Sequence, residues 1–599
     1  MLSSRCRRVV GLATKRRARS CRLIGNVQAA LRACFERAVG HPPVAHTSSV
    51  HPSLGSTALE SDIGERKMGR GRRVGAFHYS IYNTPAVDIL WKDFRRPLLP
   101  ADYSRFLLYA SRVRVFDCHL AFRYQQVVRA RVAPDVWNAL HAFRPMVYLL
   151  PNLRKVVFSW TNDTYDEQEG PLSLQLLLSP RLRHVDLWFT CMRDDGENIC
   201  LPRSIEDACT QYLACLGYVL KDMRHFRFSI LGKMPPIRTL LVDLVTEMNN
   251  LTHISLQNVV FPPPVFLHLA NLQQLSHMFA RIRVQDWSEK TRARLRELRR
   301  KAFPTLNRLI ISIDDISLYY DIQDIIQSSE MTSISLFIND IVVTELAACI
   351  ATLPHQPFAA QMRSIELHPQ LVDESLPPIL YAHDLEPLLR LDLRSLSIYG
   401  CEIAIYDELL HDMSEAWPNI QTLSFSGYSK GICAYSVTLP GLLPLVYNCP
   451  ALQSLSIQVD ASFLALPLPI PEVRPAFGKE QRSLLTIGVH YGRITNPAFV
   501  AGFLADCFPQ CTRVYSSWPL SREEDAVADP NADMYARMWF NVCNTLPHFA
   551  KIRAQERAAI EKAGRKVRGP AAHDVLQYVD VLPRNPVEAA RIASYHARW

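Results

Sequence analysis

Apolar residues in this chain recur in one short phrase: apolar, polar, polar, apolar, polar, apolar, often with Asn, Pro or Cys just before it. The clearest copies run over residues 153–158, 182–187, 251–256, 306–311, 393–398, 420–425 and 452–457. Weaker copies begin at Met223, Leu272, Met331, Met362, Leu484 and Cys511. The thirteen starts span 358 residues from Leu153 to Cys511, in steps of 21 to 41. The last two apolar positions alternate with polar ones at period two, as in a short strand with one buried face. The first lies three residues earlier, where the chain turns into the strand. Segments such as 242–248 and 408–413, between copies, have helical spacing.

One strand and one helix per unit cannot bury an apolar face alone, so neighbouring units must complete it. A mean step of about 30 residues lies near the upper end of leucine-rich periods. The pattern therefore predicts an α/β chain: an irregular leucine-rich-repeat solenoid, or horseshoe, with a parallel inner sheet and outer helices. Asn152, Asn271, Asn419, Pro304, Pro418 and Pro450 stand where the preceding helix must end. Cys401 comes just after the strand at 396–398 and suits a tight inner turn.

Composition changes this picture little. The 599 residues are 48 % hydrophobic and 21 % charged, as in ordinary globular proteins. Length alone suggests about four domains, but an array grows without starting a new core. The net charge of +10 sits in the N-terminal tail: residues 1–75 hold 15 Lys and Arg against 4 acids. The body gives no argument for nucleic acid. No apolar stretch is long enough to span a membrane.

The chemistry of known site motifs is missing. None of the 15 cysteines forms a Cys-x-x-Cys pair, and Cys507 and Cys511 have no His pair nearby. Reduced thiols in a cytoplasmic or nuclear protein are expected. Phosphate loops, a His-Glu-x-x-His helix and a Gly-x-Ser-x-Gly elbow do not occur. The acid pairs Asp194-Asp195 and Asp314-Asp315 read as solvated loops. No catalytic, cofactor-binding or metal-ligating residue is singled out, and an enzyme is not expected. Residues 288–301 read as a basic helix capped by Ser288 and anchored by Leu295 and Leu298. It is either a solvated outer face or a site for an acidic partner.

Residues 85–160 add a second signal. Val136-Trp137 and Leu150-Pro151-Asn152-Leu153 continue it into the first repeat, and generic repeats extend the likeness to about residue 515. The segment Pro85-Ala86-Val87-Asp88-Ile89-Leu90-Trp91 and the phrases at 96–106 and 109–114 resemble the end of the F-box module, and the stretch after it, in a basidiomycete family of F-box proteins with leucine-rich repeats. Pro85, Asp88, Leu90 and Trp91 carry the resemblance to the module itself. It implies a substrate-recognition receptor of a cullin-RING (SCF-type) ubiquitin ligase. The helices that would dock on the ligase adaptor are not recognisable: residues 41–80 are rich in His, Pro, Ser, Gly and Arg. Either the chain starts short of the full module or it lacks the adaptor-binding half.

The expected organisation is a disordered basic tail over 1–80 and a helical F-box-like region with linker over 81–145. The repeat array comes next, over 146–520, then an acidic loop and C-terminal helical cap over 521–599. The tail reads as a solvated arm, a nuclear signal or a mitochondrial presequence, and composition does not choose among them. The expected function is protein binding by the repeat strands, as a ligase receptor holding a protein substrate or degron and engaging the adaptor. The alternative is a repeat scaffold with no ligase role. Neither a membrane nor a cofactor is expected. Candidate contact residues, chosen between the buried positions, are Arg154, His184, His253, Arg308, Arg394 and Gln421.

Overall fold

The computed structural model describes residues 88–91, 107, 110–117, 129–132, 147–161, 174–190, 203–230, 235–299, 301–371, 379–427, 436–462, 475–518 and 529–567. The basic tail, Pro85 and the acidic segment before residue 529 lie outside them. The chain divides into two compact units, Met1–Asn250 and Leu251–Trp599.

The first unit holds β1 (Asp88–Trp91), β2 (Val115–Asp117), β3 (Arg129–Val132), β4 (Lys155–Thr161), β5 (His184–Thr190) and β6 (His225–Ile230). Strands β2, β4, β5 and β6 pair in that order, all parallel. The second unit holds β7 (His253–Val260), β8 (His277–Ile282), β9 (Arg308–Ile313), β10 (Ser333–Ile341), β11 (Ser364–Leu371) and β12 (Ile379–Leu380). It continues with β13 (Ser395–Tyr399), β14 (Glu402–Ile403), β15 (Thr422–Ser426), β16 (Val437–Thr438), β17 (Ser454–Ser456), β18 (Val459–Asp460), β19 (Thr486–His490) and β20 (Arg513–Ser516). Ten of these pair in sequence order, β7-β8-β9-β10-β11-β13-β15-β17-β19-β20, and every pairing described is parallel. Each unit is a leucine-rich-repeat stack with one sheet strand per repeat.

The phrase explains the packing. Its first apolar residue is buried throughout, from Leu153 and Leu182 to Leu452 and Leu484. So are its fourth and, except for Ser516 in the last copy, its sixth, as in Val185 and Leu187, Leu309 and Ile311, or Leu396 and Ile398. The backbone between them makes one repeated joint. The N–H groups of the second and third residues both donate to the second-residue carbonyl of the repeat before. In the first unit Arg154 and Lys155 donate to Arg114, Arg183 and His184 to Arg154, and Arg224 and His225 to Arg183. In the second, the carbonyls of Thr252, Ser276, Asn307, Thr332, Arg363, Arg394, Gln421 and Gln453 each take two such bonds, at 2.7 to 3.4 Å. A carbonyl oxygen has two lone pairs, so neither is left unsatisfied.

The joint corrects the repeat count. The copy assigned to Leu272 begins three residues later, at Leu275, because Ser276 and His277 are the pair that donates to Thr252. Leu272 instead closes the helix Pro263–Ala270, its N–H donating to Leu269. A further copy precedes the expected array, with Arg114 as its joint and β2 as its strand. The described residues of 81–145 include helical ones, Leu107 and Ala110, and three short strands. Asp88–Trp91 pairs with Arg129–Val132; its Ile and Trp suit a strand.

Helices fill the outer layer where the spacing predicts them, at Pro235–Glu247 and Asp407–Ala416 for example. Cys349 is buried in the helix Val343–Thr352, Cys401 in the turn between β13 and β14, and Cys449 at the end of the helix Leu443–Asn448; desolvation pushes the three thiols up to about 12. The helix Ala532–Val567 packs on β20 and the helix Pro497–Cys507. Two indoles fasten this end: Trp518 and Trp539 both donate Nε1–H to the carbonyl of Gly492, at 2.8 and 2.7 Å. A side chain at Gly492 would run into the Val459 carbonyl, 2.0 Å from a Cβ placed there. Arg553 pairs with Asp506 at 2.9 Å and Arg557 with Glu480 at 2.6 Å. The outer side of the helix is not wholly polar, since Phe540 and Ile560 are exposed.

Trp539→Ala should destabilise the chain by about 3–5 kcal/mol, as loss of a buried aromatic does. Phe540→Ala next to it should stay within about 0.5 kcal/mol. Denaturant unfolding of the two variants beside the unaltered protein checks both.

Candidate interaction surface

The third and fifth residues of each phrase, and the one two further on, alternate with the buried ones and point to the opposite face of the sheet. Among the described residues, most side chains that lead the strands on this open face are part-exposed. Register places its side chains in columns that run across the strands.

In the first unit the leading column is Lys155, His184 and His225. The next holds Val157, Asp186 and Arg227, and beyond it lie Trp188 and Ser229. The rings of His184 and His225 stack at 3.8 Å, tilted by only 8°. Trp188 donates its indole N–H to Asp186, and Arg227 lies 4.0 Å over the Trp188 ring. One nitrogen of each histidine and one Asp186 oxygen lie within 4.8 Å of one another.

In the second unit the leading column starts with His253, His277 and Arg308. It then turns to hydroxyls on six successive strands: Ser333, Ser364, Ser395, Thr422, Ser454 and Thr486. Ser335, Ser397, Ser424 and Ser456 continue this small, polar character in the next column. Glu366 interrupts it. Its carboxyl is held below the usual range by the hydrogen bond from His368 at 2.8 Å, with help from Ser335 and Arg308. In the outer column Phe337, His368 and Tyr399 stack in series, at 4.2 and 4.4 Å.

The six candidate residues fall into two sets. His184, His253 and Arg308 are third-position residues and lead their strands on the open face. Arg154, Arg394 and Gln421 are second-position residues; their backbones form the joints and their exposed side chains lie at the strand entry. The basic helix is described over Glu289–Glu297, with Ser288 accepting from the Thr291 N–H as its cap. Two of its arginines are committed within the unit: Arg292 and Arg296 both bind Asp321, at 2.6 and 2.8 Å. Of the acid pair, Asp314 accepts from the Val284 N–H and Asp315 caps the next helix through the Ser317 N–H. Sequence reasoning missed the His184, Asp186 and His225 cluster. The signal was a His-x-Asp strand with His at the same position of the next repeat.

No family model matches the chain, and no curated protein matches it. Among solved structures, the Rad7 and Elc1 complex in yeast is similar at 12 % identity, over 51 % of this chain and 77 % of that one, with a TM-score of 0.28. A TLR13–ssRNA13 complex is similar at 11 % identity, over 67 % of this chain and 62 % of that one, with a TM-score of 0.29. The repeat fold stated above rests on the strand register and the shared-carbonyl joints.

His253 and His277 stack at 4.1 Å, and the hydroxyls of Thr252 and Ser276 meet their Nδ1 atoms. Burial holds both below the usual histidine range, and for His277 the neighbouring His253 and Arg308 add to it. His490 is lowered by burial as well. A histidine whose folded value is depressed takes up its proton more readily in the unfolded chain. Stability therefore rises with pH between the folded value and about 6.5, and is flat above that window. Urea midpoints should fall as pH is lowered from about 7.5 through 6.5. The double change His253→Gln, His277→Gln should shrink that fall, leaving the share due to His490.

Proposed function

We propose that this chain is a protein-binding leucine-rich-repeat receptor whose open face holds an extended segment of a partner protein. The observation that carries the reading is the set of in-register columns on that face. Small hydroxyl side chains on six successive strands leave room for a partner backbone and offer it donors and acceptors. The imidazoles and Arg308 at one side, and the Phe337, His368 and Tyr399 stack beside the hydroxyls, supply the larger groups on which binding energy concentrates. Repeat stacks present surfaces of this kind.

The finer reading is that the partner is a substrate or degron and that the chain serves a cullin-RING ubiquitin ligase. It rests on the resemblance of residues 85–94 to the end of an F-box module and of 96–114 to the stretch after it. The second reading is a repeat scaffold with no ligase role, and the strand at Asp88–Trp91, where the family has a helical module, favours it.

Two experiments test these readings. Purified full chain, and the chain without residues 1–84, are passed over the immobilised ligase adaptor. Retention of the full chain alone supports the ligase receptor; retention of neither supports the scaffold. For the binding face, a photo-crosslinking residue is placed at Ser395, Thr422 or Ser454, and for comparison at Lys290 on an outer helix. A partner held on the open face should be captured from the first three positions. Capture from Lys290 alone would move the contact to the helices.

A further inference from the structure

We propose that His184, Asp186 and His225 form a binding site for a divalent transition-metal ion, zinc above all. The sheet brings them together. Residues i and i+2 of a strand share a face, and an in-register residue on the neighbouring strand lies about 4.8 Å from the first. His184 and Asp186 are such a pair on β5, and His225 is the register partner of His184 on β6. Three donors thus converge from two adjacent strands, where the repeat joints fix the backbones. All three side chains are half-buried on the open face, and their ligand atoms lie within 4.8 Å of one another.

Bonds of about 2.0–2.1 Å to one ion would bring those atoms to ~3.4 Å apart in a tetrahedral shell. The required closure is on the order of 1 Å. It is made by tilting the two imidazoles out of their stack, so that their lone pairs meet instead of running parallel. Asp186 is already oriented by the indole N–H of Trp188, an outer hydrogen bond of the kind that positions metal-ligating carboxylates. Two imidazoles and one carboxylate select zinc, cobalt, nickel or copper over calcium or magnesium. Arg227, the register partner of Asp186, and Lys155, that of His184, oppose any cation by charge, so binding must rest on the directed imidazole and carboxylate bonds that a transition metal forms. Three protein ligands leave the remaining coordination positions on the open face, as in an open zinc site.

The second unit supplies an internal comparison. His253 and His277 repeat the stacked pair, but the positions two residues on are Ser255 and Phe279, and Arg308 is next in the column. The same scaffold without the carboxylate should bind no ion.

The test uses the full chain, stripped of metal with a chelator and titrated with Zn²⁺ by calorimetry and with Co²⁺ by visible absorption. One equivalent should bind, and Co²⁺ should show the intense visible bands of a low-coordinate site. His225→Gln and Asp186→Asn should each weaken binding by about 100-fold or more, and Trp188→Phe by about 10-fold. His277→Gln should leave it unchanged. Absence of binding would overturn the proposal, as would affinity retained in both ligand variants. Should a variant fail to fold, X-ray absorption at the zinc edge of the unaltered protein decides. A shell of nitrogen and oxygen with two imidazoles supports the site; sulfur in the shell overturns it.

Discussion

Within each unit, successive repeats are tied by a carbonyl oxygen that accepts two N–H groups, except at the last strand, where Leu485 accepts one, from Thr512. The bond pair recurs from Arg114 to Arg183 in the first unit and from Thr252 to Gln453 in the second, whatever the side chain at that position: Arg, Thr, Ser, Asn or Gln. It fixes the backbone just ahead of each strand. It thereby sets the register of the strand and decides which residues face the core and which the open face. A one-residue slip would exchange those faces and expose the entire apolar set. Outside the joint, the chain varies freely. Among the described residues, repeat helices range from four residues at Ala382–Leu385 to fourteen at Arg203–Leu216, and the repeat still closes, since the outer layer needs only to cover the first apolar positions.

The open face inherits its chemistry from that register. Third-position side chains stand in columns because their strands start together, so a histidine on one strand meets its counterpart on the next. The stacked pairs His184 with His225 and His253 with His277 are consequences of this alignment. The hydroxyls from Ser333 to Thr486 are another. Their electrostatics differ with the neighbours: Asp186 stands beside the first pair, Arg308 beside the second. A partner laid along the second unit would meet rings and positive charge first, then small polar groups.

The periodic part of the fold was legible in the sequence because it is local. Six residues specify one strand, and the thirteen copies place thirteen strands, with only the start at Leu272 displaced onto a helix end. The fourteenth strand, β2, escaped because its copy, beginning at Val113, carries Val115 at the third position, where the phrase is polar. The features that could not be read were set by neighbours far along the chain. The basic helix reads as a solvated outer face or a site for an acidic partner; Asp321, 29 and 25 residues beyond Arg292 and Arg296, binds both from within the unit. The division of Arg154, Arg394 and Gln421 from His184, His253 and Arg308 comes from which backbone atoms meet across repeats. The side-chain types do not encode it. The His184, Asp186 and His225 cluster joins residues on separate repeats, beyond any short motif.

Shared-carbonyl joints that hold the array in register must protect their own amides, and hydrogen exchange measures this directly. The second- and third-position amides Arg394, Ser395, Gln421, Thr422, Gln453 and Ser454 should exchange as slowly as the strand amides after them, although several of these side chains are exposed. Exchange at loop rates, with protection confined to the strands, would contradict the account.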